Sequence, residues 1–169
     1  MTFSPEILDL AKEVVSLCNQ KKIMLSAAES CTGGLVTGAI TEISGASECL
    51  QVSFVTYSNY MKTRVLGVAK ETLDDKGAVS EETAREMASG VLKAATSDIA
   101  VAITGIAGPK GGSPEKPVGT VHFSSARRVE GRIETHHERH YIKKTDRTGI
   151  RVEAVKIALL LLLQEAKNY

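Results

Sequence analysis

Apolar positions along the chain change period often enough to divide it into elements. Ile7, Leu8, Ala11, Val14, Val15 and Cys18 recur at helical spacing behind Pro5, which suits a first helical turn. Ile23-Met24-Leu25-Ser26-Ala27 is a strand-like run. It turns through Ala28-Glu29-Ser30-Cys31-Thr32-Gly33-Gly34 into a helix, where Leu35, Val36, Ala39 and Ile40 return near helical spacing to about Ile43. Ser44-Gly45-Ala46-Ser47 breaks that helix. Val52 to Tyr57, rich in β-branched and aromatic residues, predicts a second strand. Ser58-Asn59 suits the cap of a short helix carrying Met61, Lys62, Val65 and Leu66, and another short helical segment begins near Lys70.

Ser80 caps the clearest helix, with Glu81 and Glu82 in its first turn and a stripe of Ala84, Met87, Ala88, Val91, Leu92 and Ala95. Ile99 to Ile103 is apolar throughout and ends at Thr104-Gly105, as a buried central strand does. A Gly/Pro-rich loop follows over about 105–117. Val118 to Ser125 and Ile133 to Ile142 predict two more strands, joined as a hairpin through Val129-Glu130-Gly131. Asp146 caps a final helix to about Lys167, apolar around most of its circumference. Alternation followed by a hairpin implies an α/β fold. The expected form is a three-layer α/β/α sandwich on a mixed, mostly parallel five-stranded sheet, with an antiparallel strand near one edge. No repeat or linker divides the chain, so residues 1–169 are expected to form a single domain.

Composition narrows the partners. A formal net charge of +1 gives no global reason to expect nucleic acid or a membrane. Basic residues do crowd the C-terminal third, as Arg127, Arg128, Arg132, Arg139, Lys143, Lys144 and Arg147. Trp is absent and aromatics are scarce, which argues against a base-stacking platform. Leu159 to Leu163 is too short to span a bilayer, and Met1 to Pro5 shows no signal-peptide pattern. Cys18, Cys31 and Cys49 form no CxxC pair, which suits a reduced, cytoplasmic protein.

Ligands gather beyond the carboxyl ends of strands in such sheets, and three polar clusters fall there: Glu29 to Gly34, Tyr57 to Lys62 and Thr104 to Pro109. A hydroxyl at Ser30 would stand beside the amides that begin a helix, where a phosphate or a developing oxyanion is favoured. The plainer reading makes Ser30 or Thr32 a helix N-cap. A serine needs a base, and all four histidines lie at 122 or beyond. Lys62 is the candidate, in a Ser-Lys variant of the triad, against the plainer reading of a solvated surface lysine. Thr104 to Gly112 offers amides for a phosphate or an oxyanion but lacks a Walker ending; otherwise it is a surface loop. Cys31 is an alternative nucleophile or a small buried hydrophobe. His136, Glu138 and His140 share a strand face, more in keeping with a solvated edge than with a metal site. Arg147 and Arg151 either clamp an anion or pair with Asp146 and Glu153.

Five stretches carry a resemblance: AESCTGG at 28–34, VTYSNYMK at 55–62, GAVSEETAREMA at 77–88, ITGIAGPKGGSPEKPVGTVHF at 103–123 and DRTGIR at 146–151. Together they resemble the C-terminal domain of the competence/damage-inducible protein CinA, also found as stand-alone nicotinamide mononucleotide deamidases. The chain starts directly at the first helix, as in the stand-alone form. The resemblance implies an amidohydrolase that converts nicotinamide mononucleotide to nicotinic acid mononucleotide and ammonia, with no metal or cofactor. Ser30 matches the nucleophile and Lys62 the general base, with Tyr57 holding the lysine or relaying a proton and amides around Cys31 to Gly33 or Thr104 to Gly105 stabilising the oxyanion. Substrate would be bound by Thr32, Gly33, Gly34, Asn59, Thr104, Gly105, Gly108 and Arg147, the last two regions meeting the phosphate. Lys144-Thr145 stands where the family often has Gly, which bears on the role of Arg147. A non-catalytic nucleotide-binding module, or hydrolysis of another amide or a phosphate ester, are the other readings. The apolar last helix suggests a homodimer.

Overall fold

A computed structural model describes residues 3–144 and 146–169; Met1, Thr2 and Thr145 lie outside them. The first helix, α1 (Pro5–Lys21), begins as its sequence requires. Ser4 Oγ accepts from the Ile7 N–H, and Pro5 takes a position where no N–H is needed.

Five strands follow one another across a single sheet: β1 (Leu25–Glu29), β2 (Leu50–Val55), β3 (Ile99–Gly105), β4 (Thr120–Val129) and β5 (Arg132–Tyr141), in the order β2-β1-β3-β4-β5. β1 pairs parallel with β2 and β3, while β4 runs antiparallel to both β3 and β5. Only β4 therefore opposes the common direction, one place in from the edge. The β4–β5 turn has Glu130 at φ 49° and Gly131 at φ 79°, the left-handed pair that a two-residue hairpin with native twist demands.

Helices cover both faces. On one, α1, α2 (Leu35–Thr41) and α6 (Arg147–Asn168) bury Ala27, Ile99, Val101, Ile103, Val121 and Phe123. On the other, α3 (Asn59–Leu66), α4 (Lys70–Asp75) and α5 (Glu81–Ala95) meet a sheet surface of Ala28, Ala100, Ala102 and Ala126. Alanines there let α5 lie close. α6 packs against α1, α2, β3 and β4, so its all-round apolar surface is core; of Leu159 to Leu163 only Leu160 is exposed, at 44%. No helix among the described residues is long and apolar enough to cross a membrane.

Several boundaries differ from the sequence expectation: β1 runs on to Glu29, and β4 starts two residues late and continues to Val129. α2 stops at Thr41, and β2 begins and ends two residues early, leaving Thr56 and Tyr57 outside the sheet. Their carbonyls turn instead toward the amine of Lys62. Several basic residues of the C-terminal third are held by separate partners. Arg127 meets Glu134, Arg128 holds the Ser97 and Leu92 carbonyls, and Lys144 meets Glu153.

Candidate active site

Ser30 follows the last residue of β1, and its N–H donates to the Ile103 carbonyl of β3 at 3.0 Å. The Thr56 N–H donates to the Glu29 carbonyl at 2.9 Å. The ends of three parallel strands are thus tied together around one serine. The turn closes with the Gly33 N–H on the Ser30 carbonyl at 3.1 Å, and Gly33 stands at φ 61°, a backbone that glycine adopts freely.

Neither Ser30 nor Thr32 caps α2. The N-cap is Gly34 at φ 92°, with no side-chain cap. Its place is taken by Glu29, fully buried, whose carboxylate accepts from the Gly34 N–H (2.9 Å), Val36 N–H (3.2 Å), Thr37 N–H (2.9 Å) and Thr37 hydroxyl (2.7 Å). The amides that begin α2, expected to be open to a phosphate or oxyanion, are therefore already spent on an internal anion. A carboxylate at the end of a buried strand, five residues before a Gly-Gly helix start, was the signal in the sequence.

Lys62 is held by α3. Ser58 Oγ caps that helix by accepting from the Met61 N–H, and Gly67 ends it in the left-handed region. Gly90 of α5 lets the two helices touch: a Cβ there would sit 1.9 Å from the Leu66 carbonyl oxygen. The side chain of Lys62 is 1% exposed, and its Nζ lies 3.1 Å from Ser30 Oγ, 2.7 Å from the Thr56 carbonyl and 3.4 Å from that of Tyr57. Burial pushes the amine below its ordinary value of 10.5, and Cys31 acts in the opposite sense only where its thiol is ionised. A neutral amine here gives its two N–H groups to the two carbonyls and keeps its lone pair for the serine proton. That is the arrangement a general base requires.

Ser30, Tyr57, Lys62, Thr104, Gly105 and Arg147 line one cavity of about 190 Å³, together with Cys31, Ala78, Val79 and Ala107. Other predicted binding residues stand elsewhere. Thr32 is fully buried, Gly33 and Gly34 spend their N–H groups within the turn, and Asn59 is exposed at the start of α3. Gly108 enters only through its carbonyl, which accepts from Arg147 Nη1 at 2.7 Å. The Tyr57 phenol accepts from Arg147 Nη2 at 2.9 Å, so the lysine is held by the tyrosine's main chain rather than its ring. Thr104 donates to the Ala78 carbonyl at 2.6 Å, fixing a wall of the cavity that the sequence pattern did not single out. Cys31 is 6% exposed, and burial pushes its thiol up to about 11, which keeps it protonated at neutral pH.

Arg147 and Arg151 do not pair with Asp146 and Glu153. Asp146 caps α6 by accepting from the Gly149 N–H, and Arg151 reaches back to the Ser30 turn, with Nε 3.0 Å from the Cys31 carbonyl and Nη2 2.7 Å from that of Thr32.

Fold and site together define an α/β protein with a buried serine–lysine pair at the carboxyl ends of its parallel strands. Residues 7–166 match the CinA C-terminal domain, and the chain belongs to that family. It is 46% identical over 157 residues to the nicotinamide-nucleotide amidohydrolase PncC of Enterobacter agglomerans, covering 93% of each chain. It is 44% identical over 155 residues to a putative competence-damage inducible protein of Thermoanaerobacter pseudethanolicus, of which it spans 35%. The crystal structure of the competence/damage inducible protein CihA from Agrobacterium tumefaciens superposes with a TM-score of 0.90 at 45% identity, over 97% of this chain and 98% of that one.

Proposed function

We propose that the protein is an amidohydrolase that deamidates nicotinamide mononucleotide to nicotinic acid mononucleotide and ammonia. The name of the Enterobacter agglomerans relative supports the substrate class. The observation that carries the chemistry is the 1%-exposed Lys62, its Nζ 3.1 Å from Ser30 Oγ and bounded by two carbonyls.

Lys62 Nζ takes the proton as Ser30 Oγ attacks the carboxamide carbon, and the carbonyl oxygen takes up negative charge. Collapse breaks the C–N bond while Lys62 delivers its proton to the leaving nitrogen, and ammonia departs. The acyl ester on Ser30 is then attacked by water, whose proton passes through Lys62 back to the serine. The sequence Ser30, Lys62 and Tyr57 thereby acts without need of a metal, with Tyr57 contributing its main-chain carbonyl to the base and its ring to the cavity wall.

A cavity of about 190 Å³ is smaller than the roughly 300–1,000 Å³ of whole-ligand sites. It takes the reacting pyridine carboxamide, with Thr104 and Gly105 along its side, and leaves ribose and phosphate at the rim. Arg147 is the cation there. Its guanidinium holds only neutral acceptors, the Gly108 carbonyl and the Tyr57 phenol, and a phosphate is the stronger partner for both of its donors. Ammonia release from nicotinamide mononucleotide tests the reading. Wild type turns over, Lys62→Ala loses about 10²–10⁴-fold and Ser30→Ala falls to background. Nucleotide binding by wild type without turnover would make the chain a binding module instead.

A further inference from the structure

Three consecutive carbonyls leave the nucleophile turn, and each has a donor. That of Ser30 accepts from the Gly33 N–H at 3.1 Å, that of Cys31 from Arg151 Nε at 3.0 Å, and that of Thr32 from Arg151 Nη2 at 2.7 Å. Among the described residues the Cys31 and Thr32 N–H groups donate to no other residue, the Cys31 N–H facing only its own sulfur, and Arg151 pairs with no carboxylate. A half-buried guanidinium is thus committed entirely to main chain, across 119 and 120 residues of sequence.

In a trans peptide the C=O and N–H point in opposite directions. Arg151 on the Cys31 carbonyl therefore directs the Thr32 N–H away from α6. The second contact starts a longer chain: Arg151 Nη2 donates to the Thr32 carbonyl, the Gly33 N–H of that same peptide donates to the Ser30 carbonyl, and the Cys31 N–H is the far end of the Ser30–Cys31 peptide. Hydrogen bonds in series polarise one another, and here a full positive charge stands at the head of the series. The chain ends on the Cys31 amide next to Ser30, and Cys31 lines the same cavity as Ser30.

We infer that Arg151 is a positioning residue for this reaction: by holding the Cys31 and Thr32 carbonyls it fixes and polarises the Ser30 turn, so that the Cys31 amide beside the nucleophile receives the oxyanion. This rests on Ser30 being the nucleophile. It also replaces the N-terminal amides of α2, which Glu29 occupies, as the source of oxyanion stabilisation. Gly33 belongs to the same device, because a Cβ there would stand 3.2 Å from Arg151 Nη2.

Such donors act in the transition state and not on bound substrate, so the effect falls on kcat. Arg151→Ala and Arg151→Lys are assayed for ammonia release from nicotinamide mononucleotide, beside Ser30→Ala and with thermal unfolding of each variant. Loss of one oxyanion donor typically costs about 10²–10³-fold in kcat. Arg151→Ala is expected to lose about 10–10³-fold by loosening that donor, with KM within about 3-fold and the acidic limb of the pH–rate profile unmoved. Arg151→Lys keeps the charge but not the fork, and falls in between. Added methylguanidinium should restore part of the kcat of Arg151→Ala, which a merely structural lesion would not allow. If Arg151→Ala does not fold, the folded Arg151→Lys decides by the same split of kcat from KM. Unchanged kcat in a folded variant, or a change in KM alone, overturns the inference while an inactive Ser30→Ala leaves the nucleophile in place. Full turnover by Ser30→Ala would instead overturn the nucleophile itself.

Discussion

Replacing Glu29 by Gln probes how the Ser30 turn is held. The buried carboxylate accepts from the Gly34, Val36 and Thr37 N–H groups and from the Thr37 hydroxyl. Glutamine has the same shape but one acceptor oxygen and one NH2 group. With its oxygen toward Gly34 and Val36, the NH2 faces Thr37, where the hydroxyl can turn and accept but the N–H cannot. Reversed, it sets two amides against a donor, so the first orientation wins. The orphaned Thr37 N–H costs about 1–3 kcal/mol, and two surviving bonds each weaken by about 1 kcal/mol on losing charge assistance. Loss of the anion at the start of α2 adds roughly 0.5 kcal/mol. Release from burying a carboxylate offsets part of this, leaving about 2–3 kcal/mol. Urea unfolding measures it at constant m, and Tm should fall by roughly 5–10 °C. Turnover should drop as well, since the same bonds set the path from β1 through Ser30. A variant within about 0.5 kcal/mol of wild type with unchanged kcat would refute the idea that Glu29 holds the turn.

Four further outcomes follow from the geometry. Lys62 must be neutral to accept the serine proton, and burial holds it below 10.5, so kcat/KM should climb to a plateau with a half-rise below that pH; Lys62→Arg, which cannot deprotonate, should be inactive at every pH. His122 is 7% exposed, and burial first, then His137, Arg139 and Lys116, pull its pKa down to about 4 against the opposing Glu81. Between 6.5 and about 4 the unfolded chain takes a proton that the folded chain refuses. Stability should therefore fall with pH across that window, by up to about 3 kcal/mol, and less steeply in His122→Gln by urea titration. Gly90→Ala, although alanine favours a helix, should destabilise by about 1–3 kcal/mol and lower kcat by shifting α3 and Lys62, read from unfolding and rate together. Arg147→Ala should raise KM for the mononucleotide about 10–100-fold while leaving KM for a substrate lacking the phosphate little changed.

What could be read from the sequence is what local chemistry decides. Pro5, Ser58, Ser80 and Asp146 begin helices where capping predicts, and the unbroken apolar run of Ile99 to Ile103 is the central strand. Ser30 and Lys62 meet because Ser30 directly follows β1 and Lys62 lies on α3, the helix that follows the neighbouring β2, a consequence of βαβ order that periodicity conveys. Long-range commitments of polar groups were not legible. Glu29, the last residue of β1, reaches forward to the start of α2, Arg151 crosses the chain to two carbonyls, and Thr56 and Tyr57 leave the sheet for a lysine amine. Gly90 looks like any helical glycine until the Leu66 carbonyl is seen against it. Each depends on where a distant element comes to rest, which no window of residues contains.

The central claim is that Ser30 Oγ forms the bond to the carboxamide carbon. Acid quenching of the protein during turnover of nicotinamide mononucleotide, followed by intact-mass and peptide analysis, tests it directly. The predicted result is an adduct equal to the nucleotide less ammonia, on the peptide bearing Ser30, absent from Ser30→Ala. An adduct on Cys31, or steady turnover by Ser30→Ala, would contradict the account.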